Sequence, residues 1–186
     1  MRNLLRACVA LIGAPLLIVV LSAPAANAWV RNFCGLCSAS LSYRHSADIS
    51  SSYVAANSDA KNLWNSNTDA ALFPAASGSE EKIYMTAYTV STATYDGLWT
   101  ADSCNDNGNS VGTVNVMLNR KYTDDYSASR KTSTMVNELG HAIGLGHAGS
   151  ASCAGQPIMW ASYTRFTSCG HIAPQGDDIQ GANTLL

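Results

Sequence analysis

The stretch Thr134-Met-Val-Asn-Glu-Leu-Gly-His-Ala-Ile-Gly-Leu-Gly-His147 constrains this chain more than any other. At 100° per residue, Met135, Leu139, Ala142 and Ile143 fall on one face of a helix, and Asn137 and His141 share nearly the opposite one. Such a helix lays one side in a core and presents the other to a cleft. Ser127 or Ser129 supplies an N-cap, and Gly144 accepts the left-handed conformation that ends a helix. His147 then follows closely enough to swing back toward His141. Glu138 precedes His141 by three residues, so its carboxylate stands beside the imidazole. Two imidazoles with a carboxylate next to them are the parts of a zinc site that carries its own general base.

The remaining pattern predicts a mixed α+β domain. Leu41–Ile49 reads as a first strand, followed by a helix capped by Ser51 or Ser52 with Ala56, Ala60, Leu63 and Trp64 on one face. Phe73 to Gly78 is rich in breakers and reads as a connection, and Lys82–Thr92, with its Ile, Tyr, Thr and Val, reads as a strand. Tyr95–Thr100 reads as irregular or edge structure. Val114, Val116 and Leu118 alternate with Asn115, Met117 and Asn119, the signature of a half-buried strand. Between these, residues 102–110 invite a calcium reading. Gly108 fits the turn of an EF-hand loop and Asn105 and Asn107 offer oxygens, but Val114 stands where a bidentate Glu is needed. A hairpin loop accounts for the stretch better. A polar loop over residues 120–129 leads into the motif helix, and a last short helix follows Pro174.

The N-terminus reads as a secretory signal over residues 1–28. Arg2 and Arg6 give a basic start, Ala7 to Leu21 carries no charge, and Ala26-Asn27-Ala28 is a small–x–small cleavage pattern. The apolar run, interrupted by Pro15, is shorter than the roughly 20 residues that cross a bilayer. The expectation is a secreted, extracellular domain over residues 29–186, with no membrane contact after cleavage. Without Arg2 and Arg6, nine of the 11 basic residues stand against 13 acidic ones, a formal charge of −4. With no basic run, nucleic acid is not an expected partner. Export makes disulfides the default. Cys153 with Cys169 would staple the loop around Pro157-Ile158-Met159, at about 3 kcal/mol in the chain-entropy model. Cys104 pairs with Cys34 or Cys37, or the last two bridge each other, and one thiol is left over.

Val136 to His147, followed by Pro157-Ile158-Met159-Trp160, resembles the metzincin zinc metalloproteases and among them the matrixins. That family is marked by H-E-x-x-H-x-x-G-x-x-H and a methionine-containing turn below the metal. Ala148, small after the last histidine, and Pro174-Gln-Gly-Asp177-Asp178-Ile179, similar to the final matrixin helix, point the same way. The resemblance implies a single catalytic domain with a twisted sheet over two helices. It implies a catalytic zinc on His141 and His147, Glu138 as general base, and Met159 as the Met-turn residue. This sequence departs from the family at the first ligand, where Asn137 stands in place of histidine. A carboxamide oxygen on a shorter side chain is a weaker donor than an imidazole nitrogen at ~2.0–2.1 Å.

The function so predicted is a secreted, monomeric zinc endopeptidase acting on peptide or protein substrates, weakened by Asn137. The alternative is a pseudo-protease that keeps the cleft and binds peptides or proteins without cutting. A third reading completes the metal site with a thiol of Cys34 or Cys37, or with the remote His45 or His171. Trp160, Tyr163 and Phe166, between Met159 and Pro174, are expected to wall a substrate pocket.

Overall fold

The computed structural model describes residues 29–32, 34–149 and 152–186, so the expected signal segment lies outside the described residues. The order of elements is β1 (Val30–Arg31), β2 (Ser40–His45), α1 (Ser51–Asn67), β3 (Ala71–Pro74), β4 (Ile83–Tyr88), β5 (Gly97–Cys104) and β6 (Ser110–Asn119). Then come α2 (Arg120–Thr123), α3 (Ala128–Ile143), β7 (Leu145–Gly146), α4 (Thr164–Thr167) and α5 (Gly176–Leu185). Five strands form one sheet in the order β3-β2-β4-β6-β5. The pairs β2–β3, β2–β4 and β4–β6 are parallel, and only the edge strand β5 runs antiparallel, as the partner of β6 in a hairpin. β1 and β7 make a separate two-stranded pair, Val30 against Gly146 and Arg31 against Leu145.

The sheet's buried face follows from alternation. Leu41 and Tyr43 of β2, Ile83 and Met85 of β4, and Val114, Val116 and Leu118 of β6 point into one core with Met135, Leu139 and Ile143 of α3. Helix α1 supplies Tyr53, Ala56, Ala60 and Trp64 to the same core, and its Trp64 indole donates to the Val136 carbonyl at 2.9 Å. Helices α1 and α3 pack against each other, with α3 against β5 and β6 and α1 against β3. This mixed α+β arrangement agrees with the patterning.

Differences are local. The connection expected over Phe73 to Gly78 begins with a strand, because Ala71–Pro74 pairs in parallel with Ser40–Tyr43 at the sheet edge. At an edge, Pro74 leaves no ladder donor missing where one is required. The loop after Asn119 opens with the one-turn helix α2, capped when the Asn119 side chain accepts from Lys121 N. The hairpin over 104–110 turns on the Asn105 carboxamide, whose oxygen accepts from the backbone N–H groups of Asn107 and Asn109 at 3.0 Å each. Cys34 bridges Cys104, tying the N-terminal segment to this hairpin, and Cys153 bridges Cys169 across the segment that carries Met159. Among the described residues, Cys37 is the free thiol.

Helix α3 starts where Ser127 Oγ accepts from Arg130 N and ends at Gly144, with φ of 132°. Within it, Gly140 is a packing requirement. A Cβ there would run into Met159 Sδ and stand 3.0 Å from Trp64 Cζ2. Helix propensity alone would favour Gly140→Ala by about 1 kcal/mol, but overpacking at such a contact costs about 1–3 kcal/mol. Gly140→Ala is therefore expected to lose the gain in helix propensity and to lower stability by up to about 2 kcal/mol. The urea midpoint of the folded domain measures it, and a midpoint above wild type contradicts the contact.

Candidate functional site

The polar side of α3 is not open surface. All residues from Lys131 to Ile143 are buried, including Asn137 (2% exposed), Glu138 (6%) and His141 (5%). The sequence reading of a helix half in the core and half on a cleft holds in part: the cleft is there, narrow enough to bury the groups that face it. It has a volume of about 890 Å³ and runs between α3, the loop and first residues of β5, β7, and the segment after Met159.

His141 is fixed by its own helix end. Gly144 lets the chain turn back, and the Leu145 carbonyl arrives 2.7 Å from His141 Nδ1. A carbonyl only accepts, so Nδ1 carries the hydrogen and Nε2 presents its lone pair. That backbone contact is the kind of outer support that orients a metal-binding imidazole. His147, just past β7, brings its Nε2 to 3.1 Å from His141 Nε2, with the rings edge-on at 4.5 Å. Trp99 of β5 covers the other side, its ring 6.0 Å from that of His141. Burial, and then His147, push the His141 pKa down to about 4, and burial lowers that of His147. Both rings are thus neutral donors at ordinary pH.

The fit to zinc can be tested on these atoms. Two nitrogens at ~2.0–2.1 Å from a tetrahedral ion stand roughly 3.4 Å apart. The two Nε2 atoms at 3.1 Å come within a few tenths of an ångström of that spacing. A third donor of the usual kind is missing: among the described residues no three His, Cys, Asp or Glu side chains group together. Asn137 is one turn before His141, as its spacing predicts, but its Nδ2 donates to the Ile158 carbonyl at 2.9 Å and lies 4.0 Å from Met159 Sδ. His45 and His171 do not line the cleft, and Cys34 is spent in a disulfide. The residues therefore fit a two-histidine centre, with Asn137 fastened to the turn below.

Glu138 lies against β5. A Cβ at Gly97 would come within 2.7 Å of Glu138 Cγ, so only glycine lets the strand and the carboxylate pass so closely. Burial pushes the Glu138 pKa up to about 8; Arg165 opposes this and Asp96 adds to it. The loop before β5 is held by Asn119, which is fully buried although the alternation put it on the polar face. Its carboxamide accepts from Val90 N and donates to the carbonyls of Val90 and Tyr95.

The floor is the turn carrying Met159, itself 1% exposed. Asp178, in the first turn of α5, accepts from Ile158 N at 2.7 Å, Met159 N at 3.2 Å and Gln175 N at 2.8 Å. Burial raises the Asp178 pKa to about 6 against the pull of those donors. Of the three aromatics expected to wall the pocket, Tyr163 does, while Trp160 and Phe166 do not. Sequence reading missed Asp96, Gly97, Arg130 and Arg165, because nothing in their local pattern marks residues that meet only when β5, α3 and α4 are assembled.

No protein-family model matches the chain, and no curated protein matches it. Among solved structures, a chain of the GM1-bound form of the ECX AB5 holotoxin aligns over 86% of this chain and 84% of its own, at 15% identity with a TM-score of 0.54. Myroilysin aligns over 65% of this chain and 52% of its own, at 18% identity with a TM-score of 0.39. The first is a likeness of fold alone, and the second is too slight to bear on fold or function.

Asp178→Ala would leave three backbone N–H groups without their acceptor, two of them in the Met159 turn. Each buried donor left unpaired costs about 1–3 kcal/mol, so a loss of about 3 kcal/mol or more is expected in denaturant unfolding. Asp178→Asn, which keeps one carbonyl oxygen, should lose less.

Proposed function

We propose that this protein is a secreted, extracellular endopeptidase whose cleft hydrolyses peptide bonds of peptide or protein substrates, with His141 and His147 holding a zinc ion and Glu138 acting as general base. The observation that carries this reading is the convergence of two neutral Nε2 atoms at zinc spacing, one turn from a buried carboxylate. Zinc bound there would supply a Lewis acid able to polarise a carbonyl. The remaining chemistry belongs to the chain's own residues. The Leu145 carbonyl keeps the His141 lone pair directed into the cleft. The edge of β5 at Gly97 to Trp99 borders the cleft and offers backbone to which an extended peptide can add as a further strand. Glu138, whose carboxyl lines the cleft beside His141, is placed in its ionised form to take a proton from the attacking water and return it to the leaving amine. In this reading the protein is a monomer that needs no nucleic acid or membrane partner, and calcium has no part in the chemistry.

One observation favours a second reading, a peptide-binding pseudo-protease. The Asn137 amide is engaged with the Ile158 carbonyl, which gives this side chain a structural use of its own. Zinc content and turnover separate the two readings. Glu138→Gln is expected to keep fold and zinc while lowering hydrolysis of a denatured protein substrate about 10²–10⁴-fold. Activity near that of wild type would remove Glu138 from the mechanism, and an inert but zinc-free wild type would select the binding reading.

Asn137→His is expected to tighten zinc at least about 10–100-fold, the range lost when even outer support of a metal ligand is disturbed. Position 137 lies one helical turn from His141, so an imidazole there needs no change of backbone. Chelator competition measures the affinity. An unchanged value would mean that residue 137 does not face the metal.

A further inference from the structure

The cleft also carries positive charge that proton transfer and zinc binding leave unused. Arg165, in α4, is 4% exposed and lines the cleft. Its Nη1 donates to the carbonyls of Trp160 at 3.1 Å and Ser162 at 3.3 Å, while its buried Nε meets no acceptor. Arg130, in the first turn of α3, lines the same cleft. It lies 3.6 Å over the Tyr126 ring, donates Nη2 to the Tyr126 hydroxyl at 2.9 Å, and also has a buried Nε without a partner. The two guanidinium groups are within electrostatic reach of each other and repel.

Neither has a counter-ion in contact. Among the described residues the ion pairs are Arg44–Glu81 and Arg120–Asp124. Asp96 and Glu138 attract Arg165 from beyond ion-pair distance, and Asp96 is occupied by the Tyr126 hydroxyl at 3.1 Å. His141 and His147, which line the same cleft, bring no negative charge. A buried cation without a paired anion is costly. A guanidinium presents a planar fork of donors that matches a carboxylate. A site that sets two of them near one another, with no counter-ion in contact, suits a ligand that brings the anion.

We propose that Arg165, together with Arg130, is a subsite for a carboxylate of the peptide held in the cleft, so that acidic peptides are the preferred ligands. This rests on the peptide-cleft reading above. The carboxylate comes from a Glu or Asp side chain or from a chain terminus, and the experiment tells them apart.

Three otherwise identical N-acetylated hexapeptides serve as probes: one with a central Glu and an amidated C-terminus, one with Gln in its place, and one with Gln and a free C-terminus. Binding to the full-length secreted protein is measured by calorimetry in EDTA, so hydrolysis plays no part and failure of catalysis remains distinct from failure of the subsite. At least one carboxylate peptide is expected to bind about ten-fold or more tightly than the neutral one, and which one identifies the source. Arg165→Met should bring that ratio near unity, and Arg165→Lys should retain part of it. If Arg165→Met does not fold, Arg130→Met, at a half-buried position, is read by the same ratio. A ratio near unity in wild type, a ratio that survives these substitutions, or no binding of any probe overturns the proposal.

Discussion

Helix α3 is buried on every side from Lys131 to Ile143, and the rest of the domain is arranged around that fact. Its apolar side, with Met135, Leu139 and Ile143, goes against the sheet, where hydrophobic burial drives the contact. Its polar side is equally removed from water, so each group there needs a partner from another segment. Ser133 donates to the His171 carbonyl at 2.8 Å and Asn137 to that of Ile158. Those two bonds fasten the C-terminal segment across the helix. The Cys153–Cys169 bridge closes the same segment on itself, and Asp178 holds the Met159 turn from the other side. Gly140 completes the arrangement by leaving room for Met159. The floor of the cleft is thus built from hydrogen bonds that a helix on the surface would have made to water.

The same burial sets the character of the cleft. Glu138 and His141 are both pushed toward their neutral forms, and two arginines are brought in without a contacting counter-ion. Structural networks tend to satisfy their buried charges, whereas sites that act on ligands leave them poised. Here such groups are concentrated on one cavity: the imidazole of His141, the carboxyl of Glu138 and the guanidinium groups of Arg130 and Arg165. Asn137 is the exception. Its amide is engaged with the backbone below, which makes it part of the floor.

Much of this was legible in the sequence because it depends on periodicity. The 3.6-residue pattern over Met135 to Ile143 gave the helix and its apolar face, Gly144 gave its end, and alternation over Val114 to Leu118 gave the strand that packs on it. The Cys153–Cys169 pair followed from export and loop size, whereas the choice between Cys34 and Cys37 as partner of Cys104 did not. Local pattern also failed for β3, whose Pro74 and neighbouring breakers read as a loop. Parallel pairing with β2 comes from chain about thirty residues away, which no short window contains. The two-residue pairing of β1 with β7 spans an even longer separation and carries no hydrophobic signal of its own.

For the site, the sequence by itself determined which groups stand together on one element: Asn137, Glu138 and His141 within a turn of one another, with His147 just beyond a glycine stop. Their spacing on a helix is fixed by backbone geometry, so it needs no other part of the chain. Tertiary structure decided what those groups are chemically. The desolvation of Glu138, the orientation of His141 by the Leu145 carbonyl, the engagement of Asn137 with Ile158, and the arrival of Arg165 each depend on a second segment being packed there. Charge state and hydrogen-bond capacity are set by surroundings rather than by residue type, and those surroundings exist only once β5, α3 and the C-terminal segment have closed on each other.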